Sequence, residues 1–268
     1  MTKAQILDIQ SGGDTRALTV DRVGICGIRL PMNFDEGGRS HPSVGEWKCY
    51  TDLSAQSRGT HMSRLVRALH DACEGFSYDT FRALPEKVIQ RLSDASRCEL
   101  SVNFDCFIEK RAPVSEEVGY IDCQTAFYAR QSRTEKRFLI RVTTPVTSLC
   151  PCSKAISKHG AHNQRSHLSL TVEPDSGARV RDIVALIKSC ASCDLYSMLK
   201  RADEQHVTER AYDNPKFVED MARDLAVGVE REIAVRSYRV EAENFESIHN
   251  HSAYAMITSS NFPADMLI

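Results

Sequence analysis

Leu100, Val102, Phe104, Cys106 and Ile108 alternate with other residues in an unbroken period of two. Only a β-strand sends every second side chain to the same face, so this stretch fixes a half-buried strand and demands partners for its backbone. Val118 to Tyr128 reads as the hairpin partner, with Ala112, Pro113 and the acidic pair Glu116 and Glu117 in the turn region. Leu18 to Leu30 is rich in β-branched and apolar residues and reads as another strand, with Trp47 to Leu53 beside it. Between these strand pairs the apolar spacing changes. Met62, Leu65, Val66 and Leu69 mark one face of an amphipathic helix with Thr60 as its N-cap, and Phe81 to Leu92 reads as a second helix.

The second half repeats this order. Arg137 to Thr147 reads as a strand, and Leu168, Leu170 and Val172 alternate in the next, which Pro174 to Gly177 ends. Ile183, Leu186, Ile187 and Cys190 have helical spacing. Pro215 suits the first turn of a helix carrying Phe217, Val218, Met221 and Leu225. Tyr238 to Ile248 and Ser252 to Thr258 read as a closing hairpin. The pattern is strand-strand-helix-helix-strand-strand, twice. It predicts an α+β chain: an antiparallel sheet with helices on one face, in two modules, 18–131 and 132–268, behind a mobile arm over residues 1–17. The boundary falls in the polar stretch Gln131 to Glu135.

A net charge of −2 on 268 residues gives no general pull toward nucleic acid or an anionic membrane. An anionic ligand would need a local basic pocket. Met1 to Arg16 is polar and broken by Gly12 and Gly13, unlike a signal peptide, and no long apolar run predicts a membrane span. A cytoplasmic location follows as the expectation, with the ten cysteines reduced. Most of them, such as Cys73, Cys106 and Cys190, sit in apolar patterns as small core residues.

Chemistry concentrates in three places. Ser148-Leu149-Cys150-Pro151-Cys152-Ser153-Lys154 is followed by Gly160-Ala161-His162-Asn163-Gln164-Arg165-Ser166-His167, at the end of a predicted strand. A thiolate and a neutral imidazole are natural ligands for a borderline divalent ion such as zinc. A metal-free Cys/His nucleophile pair fits the same residues. The second cluster runs from Ala202 through Glu204 and Glu209, then from Tyr212 to Asp220. There Glu219, near the start of its helix, could accept the two neighbouring N–H donors of a guanine edge in a fork. The third, Asn244 to His251, holds Glu246, His249 and His251, residue types suited to proton transfer. Arg64, Lys154, Lys158 and Arg165 lie in or beside these motifs and could meet a triphosphate. No glycine-rich nucleotide loop is present, and the His-x-Glu with Pro-Cys-x-x-Cys of the zinc deaminases is missing.

Together with Gly59-Thr60-His61-Met62-Ser63-Arg64 and Asn214-Pro215-Lys216-Phe217-Val218-Glu219-Asp220, these segments closely resemble the type IB GTP cyclohydrolase family. The resemblance covers the chain from about residue 20 onward. It implies the tunnelling fold, two modules per chain, and a homotetramer with sites at interfaces. It also implies one divalent metal per site (zinc, manganese or ferrous iron) held by Cys150 and His162, with Glu204 as the candidate third ligand. Glu219 would anchor the purine, and Arg64, His61, Lys154 and Arg165 would bind the rest of the substrate. Glu246 and His249 would handle protons, helped by His251, with Cys150 counted in the catalytic set. The implied reaction turns GTP and water into 7,8-dihydroneopterin triphosphate and formate, for folate, pterin or deazapurine synthesis. Two other readings remain at this point: a nitrile reductase of the same fold with a cysteine nucleophile and a nicotinamide cofactor, and a non-catalytic metal- or nucleotide-binding module.

Overall fold

A computed structural model describes residues 10, 12–92, 94–175 and 177–267. The strands are β1 (Val20–Asp35), β2 (Ser40–Leu53), β3 (Cys98–Arg111), β4 (Val118–Gln131), β5 (Lys136–Leu149), β6 (Asn163–Pro174), β7 (Val235–Asn244) and β8 (Ala253–Thr258). The helices are α1 (Met62–Cys73), α2 (Tyr78–Arg91), α3 (Pro151–Ile156), α4 (Val180–Ser189), α5 (Arg201–Asp213) and α6 (Val218–Glu232). The strands form one eight-stranded sheet whose order is the chain order. Five of its strand pairs, β1–β2, β2–β3, β5–β6, β6–β7 and β7–β8, are antiparallel in their registers. Among the described residues no helix is long and apolar enough to cross a membrane.

The residues group into two compact units. The first takes in the described chain up to Phe104, Phe127–Phe138 and the residues from Asp265. Its core is aromatic: Phe34, Trp47, Phe76, Phe81, Phe104, Phe127 and Phe138 are all buried. Phe76 and Phe127 stack at 5.7 Å, and Phe34 meets Phe104 edge-on at 5.2 Å. Each such pair adds roughly 0.5–1.5 kcal/mol beyond the area it buries. Leu65 and Leu69 of α1 and Leu84 and Val88 of α2 bury their apolar stripes in this unit. Ser77 starts α2 with a capping box: its hydroxyl accepts from Thr80 N at 3.3 Å, and Thr80 Oγ1 accepts from Ser77 N at 2.7 Å. The buried Glu99 carboxylate is shared by Arg22, Arg97 and Arg130, and Arg130 also donates to Asp265 at 2.7 Å. That last bond holds the Asp265 carboxyl below its ordinary value.

The second unit comprises Asp105–Ala126 and Leu139–Ala264. Its core is aliphatic, built from Val142, Leu168, Leu170, Ile183, Ile187, Met221, Leu225, Val229 and Val240. Helix α4 packs on α6, and α6 packs on β7 and β8. Helix α5 is different, because only Asp203 and Ala211 are buried along it. Asp203 lies in its first turn and accepts from Val114 N at 2.8 Å, Ser115 N at 2.9 Å and Lys200 N at 2.8 Å. Burial alone would raise this carboxyl, but the Ser115 hydroxyl and the three amides outweigh it and hold the group well below the usual range.

The predicted elements are present with shifted ends. Strands β1 and β2 continue through Pro31 and Pro42 into a long hairpin closed by Asp35 and Ser40. Helix α1 begins at Met62, with His61 and not Thr60 in the N-cap position and no side-chain cap bond. Strand β7 stops at Asn244, so Phe245 to Ser252 is a loop and not the predicted strand end. Most of the predicted arm lies outside the described residues. Its described part pairs with Gln56 to Arg58, through Asp14 N to Gln56 O and Arg58 N to Gly12 O. The expected core cysteines Cys73, Cys106 and Cys190 are buried.

Asp203→Ala should lower Tm by removing the acceptor that moors α5 to the β3–β4 turn. The native carboxyl sits below its free value of 3.8, so its contribution exists above that pH and fades as the pH falls toward the depressed value. The Tm gap between variant and wild type should therefore narrow in acid; a gap independent of pH would refute the mooring.

Candidate functional site

Strands β5 and β6 stay in register from Ile140 opposite Val172 to Leu149 opposite Asn163. The next residues, Cys150 and His162, therefore meet, and Cys150 N donates to His162 O at 3.1 Å. Pro151 opens α3, and Cys150 is its N-cap, with Sγ accepting from Ser153 N at 3.4 Å. Ser153 Oγ donates to Cys150 O at 3.1 Å and accepts from His162 N at 3.2 Å. One hydroxyl thus ties both candidate ligands together through their backbones. Gly160 turns the chain back toward β6 at φ 122°, a conformation that disfavours any side chain.

The His162 ring is nearly enclosed. Its Nδ1 lies 2.9 Å from Gln164 Oε1 and 3.9 Å from Glu246 Oε2. Glu246 arrives on the loop after β7, which is anchored by Ser166 pairing with Asn244 and by Phe245 N donating to Arg165 O at 3.0 Å. His249 and His251 lie further along this loop, exposed, with their rings stacked at 5.1 Å. Arg165 and His167 point to the opposite face of β6 from Gln164 and Ser166, as the strand's period of two requires. His167 is half-buried, edge-on to Phe245 at 4.8 Å, and burial lowers its pKa against the opposing pull of Glu243. Arg165 is exposed.

Two helices reach the same end of β5. Lys216 N donates to Leu149 O at 3.0 Å, which docks the entry to α6 one residue before Cys150. Glu219 follows in the first turn of α6, exposed. Val207 and Ala211 of α5 pack with Leu149, Cys193 and Ala161. Glu204 stands one and two turns earlier on that stripe and is exposed. Lys154 is committed to Tyr212: its ammonium lies 4.2 Å from the ring centre and donates to the Tyr212 carbonyl. In the first unit, His61 and Arg64 line a polar cavity of about 210 Å³ with Gln10, Asp52, Thr60 and Asp94, and Arg64 Nη1 donates to Arg91 O at 3.3 Å.

The chain therefore gathers Cys150, His162 and Glu246, with the start of α6 close by. Glu204 is brought to the neighbourhood on α5 but not into a ligand cluster. Among the described residues no three His, Cys, Asp or Glu side chains stand close enough to hold one ion. Cys150 and His162 nevertheless adjoin through their backbones, and thiol, imidazole and carboxylate are the donor types a borderline divalent ion takes. Sequence reasoning passed over Ser153 and Gln164. The signal for Gln164 was its place two residues after His162 on a strand, hence on the same face.

An eight-stranded antiparallel sheet in chain order with helices packed against it is the architecture of a tunnelling-fold protein. The uricase of Arthrobacter globiformis has a similar fold, with TM-score 0.53 at 9% identity, covering 91% of this chain and 96% of that one. The family described as Type I GTP cyclohydrolase folE2 matches residues 6–255. The GTP cyclohydrolase FolE2 of Janthinobacterium sp. (strain Marseille) is 45% identical over 255 residues, 95% of this chain and 94% of the relative. That of Nitrosospira multiformis is 44% identical over 258 residues, 96% of this chain and 97% of the relative. The chain belongs to the type I GTP cyclohydrolase folE2 family.

Ser153→Ala should cost about 1–2 kcal/mol of stability, because the His162 amide loses its acceptor and the Cys150 carbonyl keeps only Lys154 N as a donor. Urea unfolding measures this; an unchanged midpoint would show that the hydroxyl does not tie the two segments.

Proposed function

We propose that this chain is a metal-dependent GTP cyclohydrolase, converting GTP and water to 7,8-dihydroneopterin triphosphate and formate around Cys150 and His162. The observation that carries this reading is the pinned pair itself: Cys150 N bonded to His162 O, with Ser153 bridging both and Glu246 beside the ring. Cys150 and His162 would hold one divalent ion, zinc, manganese or ferrous iron, with Glu204 as a third donor from the stripe of α5 that packs on Leu149. When bound, such an ion supplies Lewis acidity and lowers the pKa of its water toward about 7.

The remaining work falls to side chains. Glu219, in the first turn of α6, would accept guanine N1–H and the 2-amino group together, which sets the imidazole ring of the purine toward Cys150. His249 would protonate N7 as the ring opens, and Glu246 would hold His162 and shuttle protons, with His251 alongside. Arg165, Lys154, Arg64 and His61 would meet the triphosphate. Lys154 must leave Tyr212 to do so. Copies of the chain would assemble into a homo-oligomer, a tetramer by the family resemblance, in which neighbours complete the sites. The ten free cysteines suit a reducing cytoplasm.

Incubating zinc- or manganese-loaded protein with GTP and reading the products by mass spectrometry tests the reaction. Dihydroneopterin triphosphate and formate are expected, and unaltered GTP would overturn the reading. Cys150→Ala and His162→Ala should each abolish turnover and lower bound metal. Retention of both metal and activity would remove these residues from the site. Glu219→Ala should weaken GTP binding on the order of 100-fold, since two charge-assisted hydrogen bonds are lost, while metal affinity holds. Unchanged GTP affinity would remove Glu219 as the purine anchor.

A further inference from the structure

Behind His162 runs a row of buried polar side chains that crosses three strands. Gln164, Ser148, Ser166 and Asn244 are 7%, 0%, 0% and 3% exposed. The registers pair Ser148 with Gln164 across β5–β6 and Ser166 with Asn244 across β6–β7. Gln164 Nε2 donates to Ser148 Oγ at 2.7 Å. Ser166 Oγ stands 2.8 Å from both Ser148 Oγ and Asn244 Oδ1. Gln164 Oε1 faces His162 Nδ1 at 2.9 Å.

Proton counting gives this row a direction. The Ser166 hydroxyl is the donor toward both Ser148 Oγ and the Asn244 carbonyl oxygen, which can only accept. Ser148 Oγ is therefore an acceptor on this side, and it accepts from Gln164 Nε2 on the other. With its amide given to Ser148, Gln164 presents its carbonyl to His162. A carbonyl cannot donate, so His162 must carry its proton on Nδ1. The Glu246 carboxylate, an acceptor only when ionised, lies 3.9 Å from the same nitrogen.

We infer that Gln164 is a positioning residue which, through the Ser148–Ser166–Asn244 row, locks the neutral His162 imidazole with Nδ1 protonated and the Nε2 lone pair turned outward as a metal donor. The inference rests on the metal-site reading above and extends it to residues that touch neither metal nor substrate. Partners of this kind on the far nitrogen of a ligating histidine fix its ring and raise its basicity. The buried row makes the arrangement permanent, because a half-satisfied row in a dry interior costs more than a complete one.

The test reads the tautomer directly and needs no metal. In long-range ¹H–¹⁵N spectra of the full-length, metal-free, ¹⁵N-histidine-labelled chain, His162 is assigned by the signals missing in His162→Ala. Wild type should show a pyrrole-type Nδ1 and a pyridine-type Nε2. Gln164→Leu should lose that preference and bind zinc about 10–100-fold more weakly. Ser166→Ala, which contacts neither His162 nor Gln164, should weaken the preference, because Ser148 loses the hydroxyl that donates to it. A wild-type His162 protonated on Nε2 would overturn the inference, as would Gln164→Leu with wild-type tautomer and zinc affinity. Equal zinc binding by wild type and His162→Ala would instead sink the metal-site reading, while the tautomer would still decide the role of Gln164.

Discussion

The register of β5 against β6 is the constraint on which the candidate site depends. Ten consecutive pairs end at Leu149 and Asn163, and the next two residues are the thiol and the imidazole. Side chains alternate faces along a strand, so a slip of one position would send Gln164 and Ser166 outward and leave Ser148 without partners. That register is enforced from below. Val142, Leu168 and Leu170 are buried on the helix-covered face, and reversing them would expose the core of the second unit. The apolar half of the sheet thus fixes the polar half.

How far this was legible in the sequence follows from the kind of signal each element carries. Strand β3 announces itself because five alternate positions are apolar, and α1, α4 and α6 because their stripes repeat at helical spacing. The apolar pattern of the β1–β2 hairpin stops at Leu30 and Trp47, whereas the paired strands continue through Pro31 and Pro42. Both are tolerated for a physical reason. Strand β1 is at the sheet edge, and Pro42 lies in the part of β2 beyond its pairing with β3, where only one neighbour must be served. Helix α3 has only six residues and no buried side chain, so no periodicity could reveal it. Phe245 and Ile248 extended the apparent pattern of β7 past Asn244, but both are exposed in a loop.

The site divides along the same line. Cys150 and His162 stood out because thiol and imidazole are chemically scarce, and the fold does bring them together. Glu204 and Glu219 cannot be told from solvated helix acids by pattern. The fold carries each to the same strand end by a backbone or apolar contact, through Lys216 to Leu149 and through Val207 and Ala211 to Leu149. Serine, glutamine and asparagine are common enough to pass unnoticed one by one. Ser153, Gln164, Ser148, Ser166 and Asn244 acquire meaning only when strand pairing decides which of them share a face.

The cysteines divide into two populations with different fates. Seven are buried, and desolvation raises the pKa of several of them, Cys73 to about 11, so those remain sluggish thiols shielded by packing. Cys150 and Cys152, by contrast, reach solvent two residues apart, with Cys26 the third accessible sulfur. Peroxide or an alkylating reagent would therefore meet Cys26, Cys152 and the proposed metal ligand before the seven buried thiols. Electrophiles can therefore reach the strand-end thiols while the packed core of the sheet keeps its own out of reach.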